Sequence, residues 1–275
     1  MKRYVQSDLH VDNYCVQSTN YHILLPDFED FYKRFMLPAD ELYLAGDIAD
    51  TVIMQKFFLK FLQTKYKDIY YCFGNHDLAV KGRYLGDMNQ NLTSSIKRIN
   101  LIKNFFKDSS VHVLEGDIIN DVAGCMGIGD CSFFAENASH EFAKYMWNST
   151  SFDSRIWNYK GNHYETLINY YHQMLLDLVK KQPKVIMTHY CPIQMGYNKK
   201  FTDNIKTSFY FFDAKKMLDM LDHDTLWICG HTHDAYQTEY INSQNKRIQI
   251  WCNPLGYEHE MQYELNQLDI TDFYF

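Results

Sequence analysis

Short apolar runs rich in β-branched and aromatic residues recur along the chain. They are residues 3–8 (RYVQSD), 41–47 (ELYLAGD), 69–75 (IYYCFGN), 111–116 (VHVLEG), 122–129 (VAGCMGIG), 184–189 (KVIMTH), 226–231 (LWICGH) and 247–253 (RIQIWCN). Many are apolar throughout rather than alternating, the pattern of strands covered on both faces. Between them the period lengthens. Met54, Phe57, Phe58, Phe61 and Leu62 recur at i, i+3, i+4, i+7 and i+8 within 51–66, an amphipathic helical stripe. Ile96, Ile99, Ile102 and Phe106 mark a second helix over 95–107, and Ile168, Tyr171, Leu175 and Leu178 a third over 162–181. A shorter repeat spans 212–221. Such alternation predicts a layered α/β fold, sheets inside and helices outside. Residues 131–160 follow neither period and are rich in aromatics, as expected of an irregular excursion that shapes a site.

Composition narrows the class. Apolar residues are 46% of the 275, enough for a large core, and the few prolines and glycines (5 and 12) argue against linkers or disordered tails. The balance of 34 acidic against 27 basic residues gives a net charge of −7, which disfavours bulk attraction to nucleic-acid backbones. Seven cysteines without a CxxC pair read as buried, reduced thiols. No apolar run approaches a membrane span, and none follows MKRYVQSDLH as in a signal peptide. The expectation is one cytoplasmic domain over 1–275, with 131–160 as a possible cap segment.

Five apolar runs end in metal-binding residue types: Asp8 and His10 in SDLH, Asp47 and Asp50 in AGDIAD, Asn75, His76 and Asp77 in GNHD, His189 in MTHY, and His231 and His233 in CGHTH. A single such strand end is ordinarily a turn. In an open α/β sheet, however, ligand sites form beyond the carboxyl ends of strands, so five would gather at one rim. Imidazoles, carboxylates and an amide form a set for Zn, Fe, Mn or related ions. Asp8, His10, Asp47, Asn75, His189, His231 and His233 overfill one ion but fit two that share a carboxylate, an arrangement suited to phosphoryl displacement. In DLH and HTH the paired side chains are two residues apart, and on an extended strand they would point the same way.

In order, the blocks DLH, GDIAD, GNHD, THY and GHTH resemble the calcineurin-like metallophosphoesterase superfamily, and the tail IWCNPLGY (250–257) resembles the closing strand of its bacterial cytoplasmic members. The resemblance implies a four-layered α-β-β-α sandwich. It implies one metal on Asp8, His10, Asp47 and His233, and a second on Asp47, Asn75, His189 and His231, with Asp47 bridging. The ions would be divalent or trivalent (Mn, Fe, Zn, Ni or Co) and would activate water for in-line attack on phosphorus. His76 would face the phosphate, oriented by Asp77, while Asp50 would support the metal loop. The expected substrate is a small phosphoester, of the phosphodiester or nucleotide type, on which Phe133, Phe134, Trp147 and Trp157 could stack while Arg155 held a second phosphate. Alternatives are a phosphoprotein phosphatase, a nuclease or a non-catalytic scaffold; intact ligand blocks and His76 disfavour the scaffold.

Overall fold

All eight apolar runs become strands, trimmed to their apolar centres, in a computed structural model that describes residues 1–80, 92–133, 139–159, 164–194 and 205–260. Strands β1 (Arg3–Gln6), β2 (Glu41–Ala45), β3 (Asp68–Cys72) and β4 (Val111–Leu114) form an all-parallel sheet in that order. The second sheet has the order β5-β6-β7-β8-β10-β9. Its parallel centre is β6 (Val122–Gly124), β7 (Val185–Met187), β8 (Thr225–Cys229) and β10 (Arg247–Cys252). Two antiparallel edges complete it, β5 (Asp117–Ile119) and β9 (Tyr236–Ile241).

Continuous apolarity follows from burial on both faces. Val5, Tyr43, Ala45, Tyr70, Cys72 and Leu114 of the first sheet share a core with Val122, Val185, Met187, Leu226 and Ile228 of the second. The alternate residues Leu42, Leu44, Ile69 and Tyr71 join a larger core with the helices. The predicted stripes form α2 (Val52–Leu62), α3 (Ser95–Phe106) and α6 (Tyr164–Val179). Phe58 of α2 lies 5.1 Å from Phe28 and 5.2 Å from Phe31, ring centre to ring centre. Each ring contributes about 1.5–3 kcal/mol by burial. The result is the layered α/β sandwich expected.

Elements without a clean period escape the pattern. Helix α1 (Tyr21–Phe35) buries Leu24, Phe28, Phe31 and Phe35, but Pro26 inside it reads locally as a breaker. Strand β9 alternates half-buried with exposed residues and so lacks the continuous run of a central strand. Helix α7 (Lys215–Leu218) is a single turn where the 212–221 repeat suggested more. The excursion is not irregular: it contains α4 (His140–Thr150) and α5 (Phe152–Ile156), opened by Ser139 and Ser151, whose hydroxyls accept from the N–H of Phe142 and Asp153. No helix among the described residues is long and apolar enough to cross a membrane.

The loops leaving the strands are tied to one another. The N–H of Asp8 donates to Gly46 O (3.0 Å), His10 N–H to Asp47 O (3.1 Å), Gly230 N–H to His189 O (2.9 Å) and Gly256 N–H to Asp8 O (3.0 Å). One rim therefore carries the ends of β1, β2, β7, β8 and β10.

Candidate metal centre

All seven candidate ligands meet at this rim. One group comprises Asp8, His10 and His233, the other Asp47, His189 and His231; within each, ligand atoms lie within 4.8 Å of one another. Asn75 joins the second group, its Oδ1 2.9 Å from His189 Nε2 and 3.0 Å from His231 Nδ1. Asp47 stands between the groups, with Oδ2 3.2 Å from His189 Nε2 and 3.9 Å from His10 Nε2. The two imidazoles of HTH thus serve different groups.

The pleat does not bring the pairs together. Strands β1 and β8 end at Gln6 and Cys229, before the ligands begin. Asp8, His10, Asp47, His231 and His233 all have positive φ, between 42° and 69°. Left-handed backbone is costly outside glycine, about 1–3 kcal/mol per residue, and persists where surroundings over-determine it. Space is equally constrained: a Cβ at Gly74 would fall 2.1 Å from Asp47 Oδ1, and one at Gly46, itself at φ 84°, 2.6 Å from Gly74 N. These glycines let the GD and GN loops pass in contact.

The site's own electrostatics suit cations. Burial alone would raise the Asp8 carboxyl, but the hydrogen bond with His233 and the charge of His189 outweigh it and hold Asp8 at about 2. Asp47 is likewise held well below the usual carboxylate range, against burial, by His189 and His76. His10 is pushed down to about 3, first by burial and then by His76, so it is neutral as a ligand must be. His189 is raised to about 9, against burial, by Asp47, and His233 to about 10, against burial, by Asp8 and Glu260. Protons held there are what a cation replaces. Tautomers are prepared as well: His189 Nδ1–H donates to Ala45 O (2.8 Å), so loss of the other proton opens the Nε2 lone pair toward Asn75 and Asp47. His233 Nδ1 lies 2.5 Å from Glu260 Oε2, a carboxylate behind an imidazole that orients it for a metal. The donor set and these outer partners fit metal binding.

His76 is placed beside the centre, and its orienting residue is a correction. Asp50 Oδ1 lies 2.5 Å from His76 Nδ1. The Asp77 carboxylate instead accepts the backbone N–H groups of Asp47 (2.7 Å), Ile48 (2.9 Å), Ala49 (3.2 Å) and Gly74 (2.9 Å). Asp77 therefore shapes the metal loop and Asp50 holds the histidine, the reverse of the expected roles. In sequence the two carboxylates are indistinguishable by type, and adjacency to His76 pointed to the wrong one. Burial opposes a charged His76, but Asp47 and Asp50 raise it to about 10, and its Nε2 lies 3.4 Å from Tyr257 Oη.

Helix α5 reaches the centre through residues the motifs do not contain. Asp153 accepts Asn75 Nδ2 (2.8 Å) and the Tyr190 hydroxyl (2.9 Å), which turns Asn75 Oδ1 toward the histidines. Trp157 Nε1–H donates to Asn75 O (2.8 Å), so Trp157 is a buried brace rather than a platform for substrate. Trp147 is also buried, stacked on Tyr164 at 4.3 Å. Arg155 folds back on Ser151 O and Thr150 O. Phe134 lies outside the described residues, and Phe133 packs toward Phe211. Of the excursion's rings, Phe152 meets the site, stacked on His76 at 4.9 Å. Fully buried Arg98 of α3 donates to the carbonyls of Ala49, Asp50 and Ala79, joining the loops on either side of His76.

Residues 1–235 match the sequence model of the calcineurin-like phosphoesterases. Among solved structures, the fold is similar to that of a phosphopantetheinyl hydrolase from Mycobacterium tuberculosis. The TM-score is 0.70 at 16% identity, over 97% of this chain and 95% of that one. A dimetal phosphatase from Danio rerio aligns at TM-score 0.44 and 12% identity, over 92% and 86%. No curated protein matches the sequence.

Proposed function

The chain belongs to the calcineurin-like phosphoesterase family and is a metal-dependent phosphoesterase, and from that premise we propose that it hydrolyses small phosphoesters at a dinuclear centre bridged by Asp47. The observation that carries this reading is the position of Asp47 between two ligand groups, with His76 at their edge. Asp8, His10, Asp47 and His233 would hold one cation, and Asp47, Asn75, His189 and His231 the other. When bound, such a pair supplies Lewis acidity and a water of lowered pKa.

The chain's own residues do the rest. Asp50 keeps His76 charged and holds it by Nδ1, which leaves Nε2–H, 3.4 Å from Tyr257 Oη, to donate to a phosphoryl oxygen or to the leaving oxygen. Phe152 and Tyr257 flank that imidazole and restrict its rotation. Asp153 and Trp157 fix both ends of Asn75. A small phosphodiester or nucleotide-type ester is favoured over a phosphoprotein because Phe152 of α5 covers one face of His76.

The test is a screen of natural phosphoesters, phosphopantetheinyl esters among them, with Mn²⁺, Ni²⁺, Co²⁺, Zn²⁺ or Fe supplied separately. Hydrolysis of small diesters or monoesters, lost in His76→Ala with metal content unchanged, is expected. Activity confined to phosphoproteins would favour the phosphatase reading, and no activity with any ion would end both.

A further inference from the structure

Three of the seven cysteines converge outside the His/Asp/Asn centre. Cys229 closes β8 and Cys252 closes β10, directly paired across neighbouring parallel strands, and Cys191 follows β7. All three are fully buried, and their Sγ atoms lie within 4.8 Å of one another. A zinc ion bonded to three sulfurs at about 2.3 Å sets them roughly 3.8–4.0 Å apart, so the cluster is within an ångström of coordinating geometry. Cys15, Cys72, Cys125 and Cys131 are also buried but belong to no such group among the described residues.

The surroundings are polar where simple packing would be apolar. Gly230 O accepts from Cys191 Sγ (3.2 Å) and Cys252 Sγ (3.7 Å), and Tyr236 Oη lies 3.4 Å from Cys229 Sγ. Thr232 Oγ1 lies 3.6 Å from Cys252 Sγ. Three sulfurs, two of them on the Gly230 carbonyl, form a soft donor set with an oxygen available as fourth ligand. Thiolates favour thiophilic ions more strongly than the imidazole, carboxylate and amide donors of the other centre do.

We propose that Cys191, Cys229 and Cys252 form a third cation site, for a thiophilic ion such as zinc(II) or copper(I), separate from the dinuclear centre. Binding exchanges S–H bonds for S–metal bonds and releases one proton to solvent for each thiol that coordinates. The ion would cross-link the segments that carry His189 and His231, since Cys191 follows the first by two residues and Cys229 precedes the second by two.

The test uses the reduced full chain, freed of metal and titrated anaerobically with cobalt(II). A sulfur-to-cobalt charge-transfer band is expected; nitrogen and oxygen ligands give none, so the band does not depend on the dinuclear reading. Zinc(II) should displace it, and Cys252→Ser should abolish it and lower bound cobalt by one ion per chain, while Cys125→Ser leaves both unchanged. Where Cys252→Ser fails to fold, Cys191→Ser replaces it, and the wild-type spectrum alone decides whether sulfur coordinates. Absence of the band, its survival in the cluster variants, or conversion of the pair Cys229 and Cys252 to a disulfide before metal is added would overturn the proposal.

Discussion

Replacing Asp153 tests whether α5 is part of the metal centre or merely lies beside it. The residue is 5% exposed and its carboxylate accepts two buried donors, Asn75 Nδ2 and Tyr190 Oη. Asp153→Ala strands both, at about 1–3 kcal/mol each. It also frees the Asn75 amide to rotate, so that Oδ1 is no longer held 2.9–3.0 Å from His189 Nε2 and His231 Nδ1. Loss of such an outer partner lowers metal affinity by about 10–100-fold. The effect should fall on one ion, because Asp8, His10 and His233 have no contact with Asp153 among the described hydrogen bonds. The assay is calorimetric titration with Mn²⁺, resolving two binding steps, with urea unfolding of the metal-free protein alongside. Weakened binding of one ion in Asp153→Ala is expected, and little change in Tyr190→Phe, which removes only the other donor. Equal loss of both ions, or lost stability with both affinities intact, would refute the argument.

The exchanged roles of Asp50 and Asp77 are separable. Asp50→Asn should lower kcat by about 10²–10⁴-fold with two ions still bound, by removing the charge that holds His76 protonated; Asp77→Ala should instead destabilise the fold and lose metal, because four backbone N–H groups lose their acceptor, as elemental analysis and thermal unfolding would show. Gly74→Ala should abolish metal binding, since its Cβ would overlap Asp47 Oδ1, and a variant with wild-type metal content would contradict that packing. Glu115, near Tyr171, Tyr159, Lys103, Asp117 and Cys125, is raised from 4.5 to about 7, chiefly by burial. Its raised pKa means that stability present below pH 4.5 is lost as pH rises through 7, a loss of about 3 kcal/mol when complete. Glu115→Gln should therefore raise the urea midpoint of metal-free protein at pH 8 and gain little at pH 5; equal midpoints at pH 8 would count against it.

Much of this was legible in the chain because the β-strands are buried on both faces and so write themselves as apolar runs. The ligand types at their ends follow from the chemistry of cations, and the blocks name them. What could not be read is how the ligands converge. The two-residue spacing of Asp8 and His10 suggested a shared strand face, whereas left-handed backbone beyond β1 does the work, and no local pattern announces that conformation in Asp or His. The partners of His76 and Asn75 were equally hidden: Asp50 lies 26 residues before His76, and Asp153 lies 78 after Asn75. Trp157 looked like a ligand platform because an aromatic residue in an aperiodic stretch carries no mark of burial. Glu260 and Tyr257 were invisible for a related reason, since tertiary proximity alone sets them against His233 and His76. The tail motif IWCNPLGY ends on Tyr257 and stops short of Glu260.

Whether Asp47 joins two cations is read directly by electron paramagnetic resonance of the manganese-loaded protein. Two Mn²⁺ ions sharing a carboxylate interact magnetically, so wild type should show an exchange-coupled spectrum at two ions per chain, and Asp47→Asn should lose it together with activity. Isolated, uncoupled manganese in the wild type, or a coupled spectrum that survives in Asp47→Asn, would contradict a bridging Asp47.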